Sequence, residues 1–64
     1  MFYYVVIERD GKTFYVTSPK YGEYELSLSK GRFLFLWNTE QSAREDTKHL
    51  VNDGDTVRCV HTYH

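Results

Sequence analysis

The side chains with the most reactive chemistry lie at the C-terminal end of the chain, in the stretch RCVHTYH. It holds the only cysteine, Cys59, and two of the three histidines, His61 and His64. Alternate residues of a β-strand share a face, so Cys59 and His61 would be neighbours while His64 faces the other way. Structural zinc needs four converging ligands, and only His49 offers a third. The spacing therefore favours a closing strand with a buried Cys59, and no cofactor is expected; a small metal-binding domain stays an alternative.

Catalytic chemistry has little support in this sequence. Cys59 and His61 lack a third group, and no helix N-terminus is available to lower the thiol pKa. The four glycines are isolated turn residues and form no phosphate-binding loop. Asp53 and Asp55 flank Gly54, which is typical of a turn rather than of an acid/base pair. We therefore expect that the protein is not an enzyme.

The elements that must position these residues follow from periodicity. Alternating or continuous apolar and β-branched residues predict five strands, at residues 2–8, 13–17, 24–29, 32–37 and 56–63. Asp10-Gly11 lies between the first two and indicates a two-residue hairpin. One helix precedes the last strand, giving the order β-β-β-β-α-β. The prediction is a single α+β domain over residues 1–64, with a small, mainly antiparallel sheet of about five strands and one helix on one face.

The predicted helix follows a capping signal. Asn38 or Thr39 can accept a hydrogen bond from the first turn, and the segment 52–55, which contains Asp-Gly, ends the helix. Residues at helical spacing predict one thin apolar face, formed by Ala43, Thr47, Leu50 and Val51. A face this narrow covers only part of the sheet, so the other sheet face is left to loops, to a partner or to water-tolerant tyrosines.

Composition limits the classes of function. A chain of 64 residues buries a small core, and six Tyr, four Phe and one Trp are the expected compensation; homodimerisation is a second route to stability. The N-terminal apolar run is too short for a membrane span and lacks the features of a signal peptide, so no membrane association is expected. One cysteine and no export signal indicate a cytoplasmic protein.

Nucleic-acid binding is an alternative function, through aromatic side chains that stack on bases. The candidates are Tyr3, Tyr15, Phe33 and Phe35. Eight basic residues are opposed by nine acidic ones, for a net charge of −1, and they are scattered along the chain. The basic surface that a phosphate binder needs is therefore missing, and nucleic acid is disfavoured.

A protein partner is the favoured interpretation. Tyrosine is enriched in interface cores, and acidic side chains on one side of a domain can steer it to a basic surface. The candidate partner-binding residues form two sets, one in and after the Pro/Gly loop and one on and after the helix: Tyr21, Glu23, Tyr24 and Glu25, and Glu40, Glu45, Asp46, Asp53 and Asp55.

In size and layout the chain resembles the small inhibitor proteins of phages and mobile elements, including anti-CRISPR proteins. The resemblance lies in the segment LFLWNTEQSAREDTKHLVNDGDTVRCV, read as strand, cap, helix, turn and strand, after a DG hairpin. It implies a small α+β inhibitor that binds a host defence complex in the host cell cytoplasm and blocks its access to DNA. The net charge of −1 departs from the strongly acidic members and points to a local acidic surface instead of bulk DNA mimicry.

Overall fold

A computed structural model describes residues 1–63 of the chain. Within them an antiparallel sheet of four strands, in the order β3-β2-β1-β4, packs against one α-helix and a short 3₁₀ turn. The α+β prediction is therefore confirmed. The elements are β1 Phe2–Arg9, β2 Lys12–Lys20, β3 Glu23–Ser27, α1 Glu40–Thr47, a 3₁₀ turn Lys48–Leu50 and β4 Thr56–Thr62.

The expected count of about five strands is wrong for residues 1–63, because segment 32–37 is not a strand. Pairing between β1 and β2 ends at Val6 and Tyr15, and segment 32–37 fills the gap beyond them. Trp37 exchanges backbone hydrogen bonds with Tyr3 of β1, at 2.8 and 2.9 Å. Three residues earlier, the same segment bridges β2 through Leu34. A segment that bonds to two diverging strands in turn cannot continue a ladder with either.

The Asp10-Gly11 hairpin forms as predicted. Both residues adopt positive φ, at 53° and 75°, which is the backbone of a type I′ turn and matches the twist of the flanking strands. Glycine adopts this conformation without steric cost, and Asp tolerates it better than most residues. The turn places Arg9 opposite Lys12 and sets the register of β1 against β2.

Helix α1 is short and depends on its cap and its packing. The Thr39 hydroxyl accepts a hydrogen bond from the Ser42 amide at 3.1 Å, which decides between the two predicted caps. Ala43 and Thr47 are buried, and the Thr47 hydroxyl donates to the Ala43 carbonyl at 2.8 Å. Eight residues are too few for a helix to be stable alone in water, so contact with the sheet must hold it.

The main core lies between the sheet and α1. Its buried members come from four separate parts of the chain, namely β1, β2, segment 32–37 and α1: Val5, Ile7, Val16, Trp37 and Ala43. Burial of apolar area at about 25 cal/mol per Å² is the main force that holds the helix in place. Tyr24 and Phe35 extend this core, with ring centroids 5.1 Å apart in an edge-to-face arrangement.

The opposite sheet face, here called the open face, is covered by one side chain rather than by an element. Tyr4, Val6 and Tyr15 lie on it, and Val6 is only 2% exposed. The Lys30 ammonium reaches across from the loop after β3, 5.1 Å from the Tyr4 ring and 5.8 Å from the Tyr15 ring. Cation–π contacts of this kind contribute about 0.5–1 kcal/mol at exposed sites, and the tyrosine hydroxyls can face water.

Candidate functional site

Cys59 and His61 lie on β4 and occupy different environments. Cys59 is half-buried, and burial raises the pKa of its thiol, with the negative charge of Glu40 acting in the same direction. A protonated thiol is a poor nucleophile and a poor metal ligand. His61 is exposed and stacks on Tyr3, with ring centroids 5.4 Å apart and 15° between the planes.

His49, the third candidate ligand, is exposed in the 3₁₀ turn. No three or more His, Cys, Asp or Glu side chains among residues 1–63 are arranged to hold a metal ion, so the structure does not bring His49 to Cys59 and His61. His64 lies outside the described residues. The described part of the chain also forms no pocket.

The nine candidate partner-binding residues do not form one surface. Tyr21 and Glu23 lie at the turn between β2 and β3, at one end of the sheet. Asp53 and Asp55 lie at the opposite end, where Asp55 bonds to Arg9 at the end of β1. The helical acids Glu40, Glu45 and Asp46 lie on α1, away from the strand turns.

Most acids of the helical set already have partners within the chain. Glu40 accepts a hydrogen bond from Arg44 at 2.8 Å, and Glu45 accepts one from Lys48 at 2.8 Å. The bond to Glu45 raises the pKa of Lys48. Each pair is largely neutral at its position and attracts an external basic surface only weakly.

Asp55 is an internal anchor of the fold. Its side chain is 2% exposed and accepts from Arg9, with 2.7 Å between Nη2 and Oδ2 and 3.0 Å between Nε and Oδ1. The Asn52 amide donates to the same carboxylate at 2.8 Å. The bonds from Arg9 and Asn52 hold the pKa of Asp55 below its ordinary value. This carboxylate therefore joins the turn after α1 to the end of β1.

Tyr24 and Asp46 belong to an aromatic network at the edge of the core. The Trp37 Nε1 donates to Asp46 Oδ2 at 2.9 Å, and the Tyr24 ring lies 5.5 Å from the Trp37 ring. Burial raises the pKa of Tyr24, and the negative charge of Asp46 raises it further. Their contacts within the fold give both residues a structural role.

The role of Asp46 can be measured. We expect Asp46→Ala to lower the free energy of unfolding by about 1–3 kcal/mol, because the buried Trp37 indole loses its acceptor. Urea denaturation followed by circular dichroism measures this loss. Glu45→Ala is the matched control, since the neighbouring carboxylate is exposed and pairs only with exposed Lys48, and its midpoint should stay at the wild-type value. Equal midpoints for the two variants would contradict the role assigned to Asp46.

Tyr21, Glu23 and Glu25 remain available to a partner. Tyr21 is fully exposed at the tip of the turn. Both glutamates are exposed and form no ion pair within residues 1–63. The turn itself is ordered, because the Ser18 hydroxyl bonds to the carbonyl groups of Lys20 and Glu23 at 2.9 and 2.8 Å.

Further exposed apolar side chains lie at the same end of the sheet as Tyr21. The four large ones at this end, here called the apolar end, are Met1, Tyr21, Phe33 and Tyr63. These side chains share one end of the sheet, since β1 and β3 begin and β2 and β4 end there. Tyr63 continues the His61–Tyr3 stack, with its ring 5.7 Å from His61, and Tyr63 is 75% exposed.

Three of these four residues, Met1, Phe33 and Tyr63, were absent from the partner-binding candidates taken from sequence. Phe33 fell inside a predicted strand and Tyr63 inside the closing strand, and both are exposed, Phe33 to 46%. The sequence did indicate that Met1 and Tyr63 lie next to the ends of predicted strands. It did not indicate that these strand ends lie at the same end of the sheet, because that depends on the strand order.

The aromatic residues considered for base stacking do not share a face. Tyr3 and Phe35 pack against the core on the helix side, whereas Tyr15 lies on the open face opposite Val6. Phe33 lies at the apolar end with the Arg32 guanidinium 5.1 Å from its ring centroid. The structure therefore does not form the platform that the nucleic-acid alternative requires.

The fold and the surface define a small antiparallel α+β domain with an exposed apolar end. Comparison of the chain with protein-family models, with curated proteins and with solved structures gives no match. No helix among residues 1–63 is long and apolar enough to cross a membrane.

Proposed function

We propose that this chain is a small, non-catalytic protein-binding domain that acts in the cytoplasm and inhibits its partner by covering a basic surface. The observation that carries the proposal is the apolar end together with two free acids. Exposed aromatic residues with charged neighbours are typical of protein–protein interfaces.

Tyr21 is the expected anchor of the interface. Its side chain is fully exposed, more so than those of Phe33 and Tyr63. Tyrosine buries a large area at low entropic cost, and its hydroxyl can still bond to a partner. Glu23 and Glu25 lie on β3 beside it, and their unpaired carboxylates suit a partner surface rich in Lys and Arg.

The finer proposal is that the partner is a CRISPR interference complex whose access to DNA is blocked. Its support is the architectural resemblance to small phage inhibitors and the local acidic edge on β3. A site that normally binds phosphates is basic, and two free carboxylates beside an exposed tyrosine would compete for it without a strongly acidic chain.

The surface is tested by charge reversal with a matched control. Affinity capture and mass spectrometry first identify the partner, and titration calorimetry on the purified pair then gives the affinity. We expect Glu23→Lys with Glu25→Lys to weaken binding roughly tenfold or more, which corresponds to about 1.4 kcal/mol. Glu40→Lys with Glu45→Lys makes the same charge change on α1 and should weaken binding less, because those acids are already paired.

Tyr21→Ala is the complementary variant. Loss of an interface anchor typically costs about 2 kcal/mol or more, or roughly 30-fold in affinity, and the exposed turn position should leave the fold intact. Unchanged affinity in both Tyr21→Ala and the β3 double reversal would rule out this surface. Separately, a purified interference complex that binds target DNA equally well with and without excess protein would reject the CRISPR partner and leave the protein-binding proposal standing.

A further inference from the structure

The two edges of the sheet are protected to different degrees. β3 is five residues long, carries Glu23 and Glu25, and pairs irregularly with β2, with a register shift between Thr17 and Lys20. Short length, charge and irregularity are the features that keep an edge from pairing with another chain. β4 has less of this protection, since it runs for seven residues in unbroken register with β1, contains neither Pro nor Gly, and carries one charged residue, Arg58.

Backbone groups along β4 point alternately toward β1 and away from it. Tyr3 bonds to Trp37 on the side of β1 that faces away from β4, so its neighbours Tyr4 and Val6 bond toward β4, opposite Val60 and Arg58. The remaining β4 residues turn their amide and carbonyl groups outward: Val57, Cys59 and His61. Within residues 1–63 these groups accept and donate no hydrogen bond outside the sheet.

We propose that the β4 edge pairs antiparallel with β4 of a second copy of this chain, around a two-fold axis at Cys59, to form one continuous sheet across the dimer. Cys59 is the central residue of Thr56–Thr62. A register centred there pairs the full length of both strands. This register also uses the outward amide and carbonyl groups of all three residues. Cys59 of one copy pairs with Cys59 of the other, and Val57 of each copy pairs with His61 of the other.

The side chains of β4 are compatible with pairing to a second copy. In this register Arg58 lies opposite the second copy's Val60, so no like charges meet across the pair. Glu8 lies 3.8 Å from Arg58 and balances its charge within each copy. A shift of the axis by one residue to Arg58 would set two arginines opposite each other and shorten the paired region, so the register at Cys59 is favoured over that one.

The symmetry of this pairing places like faces of the two sheets side by side. A two-fold axis perpendicular to the sheet keeps both α1 helices on the same face and both open faces on the other. The half-buried Cys59 and Val60 would gain apolar neighbours, and a 64-residue domain with a thin core gains buried area from such an extension. This association leaves Tyr21, Glu23 and Glu25 free, since they lie on the opposite edge strand and its turn.

The direct test is the mass of the protein in solution. Sedimentation equilibrium on the wild-type chain should give twice the 7.6 kDa of one copy. His61→Pro removes one outward amide at an edge position where proline is tolerated, and it should return the mass to that of one copy. His61→Ala is the matched control that loses the same imidazole and keeps the amide, and it should remain dimeric. A wild-type chain that stays at 7.6 kDa, or a dimer that persists in His61→Pro, overturns the proposal.

A second measurement covers the possibility that His61→Pro does not fold. In the proposed register the two Cys59 Cα atoms lie about 5.5 Å apart, within the range of about 4.4–6.8 Å that a disulfide spans. Diamide, which takes up the two electrons and two protons of the thiols, should link the wild-type chain into a dimer that dithiothreitol reverses. The linked fraction should stay constant on dilution while the dimer persists. If instead the initial rate of cross-linking per chain falls in proportion to the protein concentration, the link forms by random collision and the proposal is overturned.

Discussion

Trp37→Ala should destabilise the protein strongly. Trp37 is 5% exposed and packs against Phe35, with ring centroids 4.6 Å apart. Replacing a buried tryptophan with alanine costs about 3–5 kcal/mol. A chain of 64 residues, at about 0.05–0.15 kcal/mol per residue, has roughly 3–10 kcal/mol in total, so this one change removes a large part of its stability.

The cost has two parts that a second variant separates. Trp37→Phe keeps an aromatic ring in the core and removes the bond from Nε1 to Asp46, so it should lose less than Trp37→Ala. Urea unfolding followed by far-ultraviolet circular dichroism measures both, because the only tryptophan is lost as a fluorescent probe. A midpoint for Trp37→Ala equal to that of the wild type would show that the segment before α1 does not hold the core together.

The ion pair between Arg9 and Asp55 should make stability depend on acid pH. The pKa of Asp55 is lowered in the folded state, chiefly by the hydrogen bond from Arg9. A carboxyl group with a lowered folded pKa stabilises the protein fully above its unfolded pKa of about 3.9. That contribution is lost as the pH falls from about 3.9 through the lower folded pKa, because the unfolded chain takes up the proton first.

Asp55→Asn should therefore have two effects. The melting temperature at pH 7 should fall, because the Arg9 guanidinium loses its charged partner while its bond to the Leu50 carbonyl, at 2.8 Å, remains. The further loss of stability below about pH 4 should also be smaller than in the wild type. Asp53→Asn is the matched control, since Asp53 is exposed in the same turn and should leave the melting temperature and its pH dependence unchanged. Parallel pH profiles for the wild type and Asp55→Asn would contradict the assigned role.

Segment 32–37 is the element for which the prediction from local sequence pattern differs from the tertiary structure. Its apolar residues on both faces predict a central strand, and they are indeed partly or fully buried from Leu34 to Trp37. The pattern predicts the burial of these residues correctly, but it does not predict which strand the segment pairs with. Whether a buried extended segment becomes a strand depends on whether one neighbour stays alongside it, and here β1 and β2 diverge.

The candidate site residues also differ in how well the sequence predicted their exposure. Tyr21, Glu23 and Glu25 are exposed as their Pro/Gly context predicts. Tyr24, in the same stretch, belongs to the core because strand alternation turns it toward Phe35. Asp55 looks like an ordinary turn residue in sequence, and only its contact with Arg9, 46 positions away along the chain, reveals its burial.

The sequence by itself determined the local elements of this protein. The hairpin at Asp10-Gly11, the capped helix with Ala43 and Thr47 on its buried face, and the closing strand with Cys59 all follow from backbone preference and periodicity. The tertiary structure alone decided which ends and edges meet. It brought Tyr21 and Tyr63 to one end of the sheet and left β4 as an edge strand without a second partner among residues 1–63. Strand order depends on long-range packing that residue spacing does not encode.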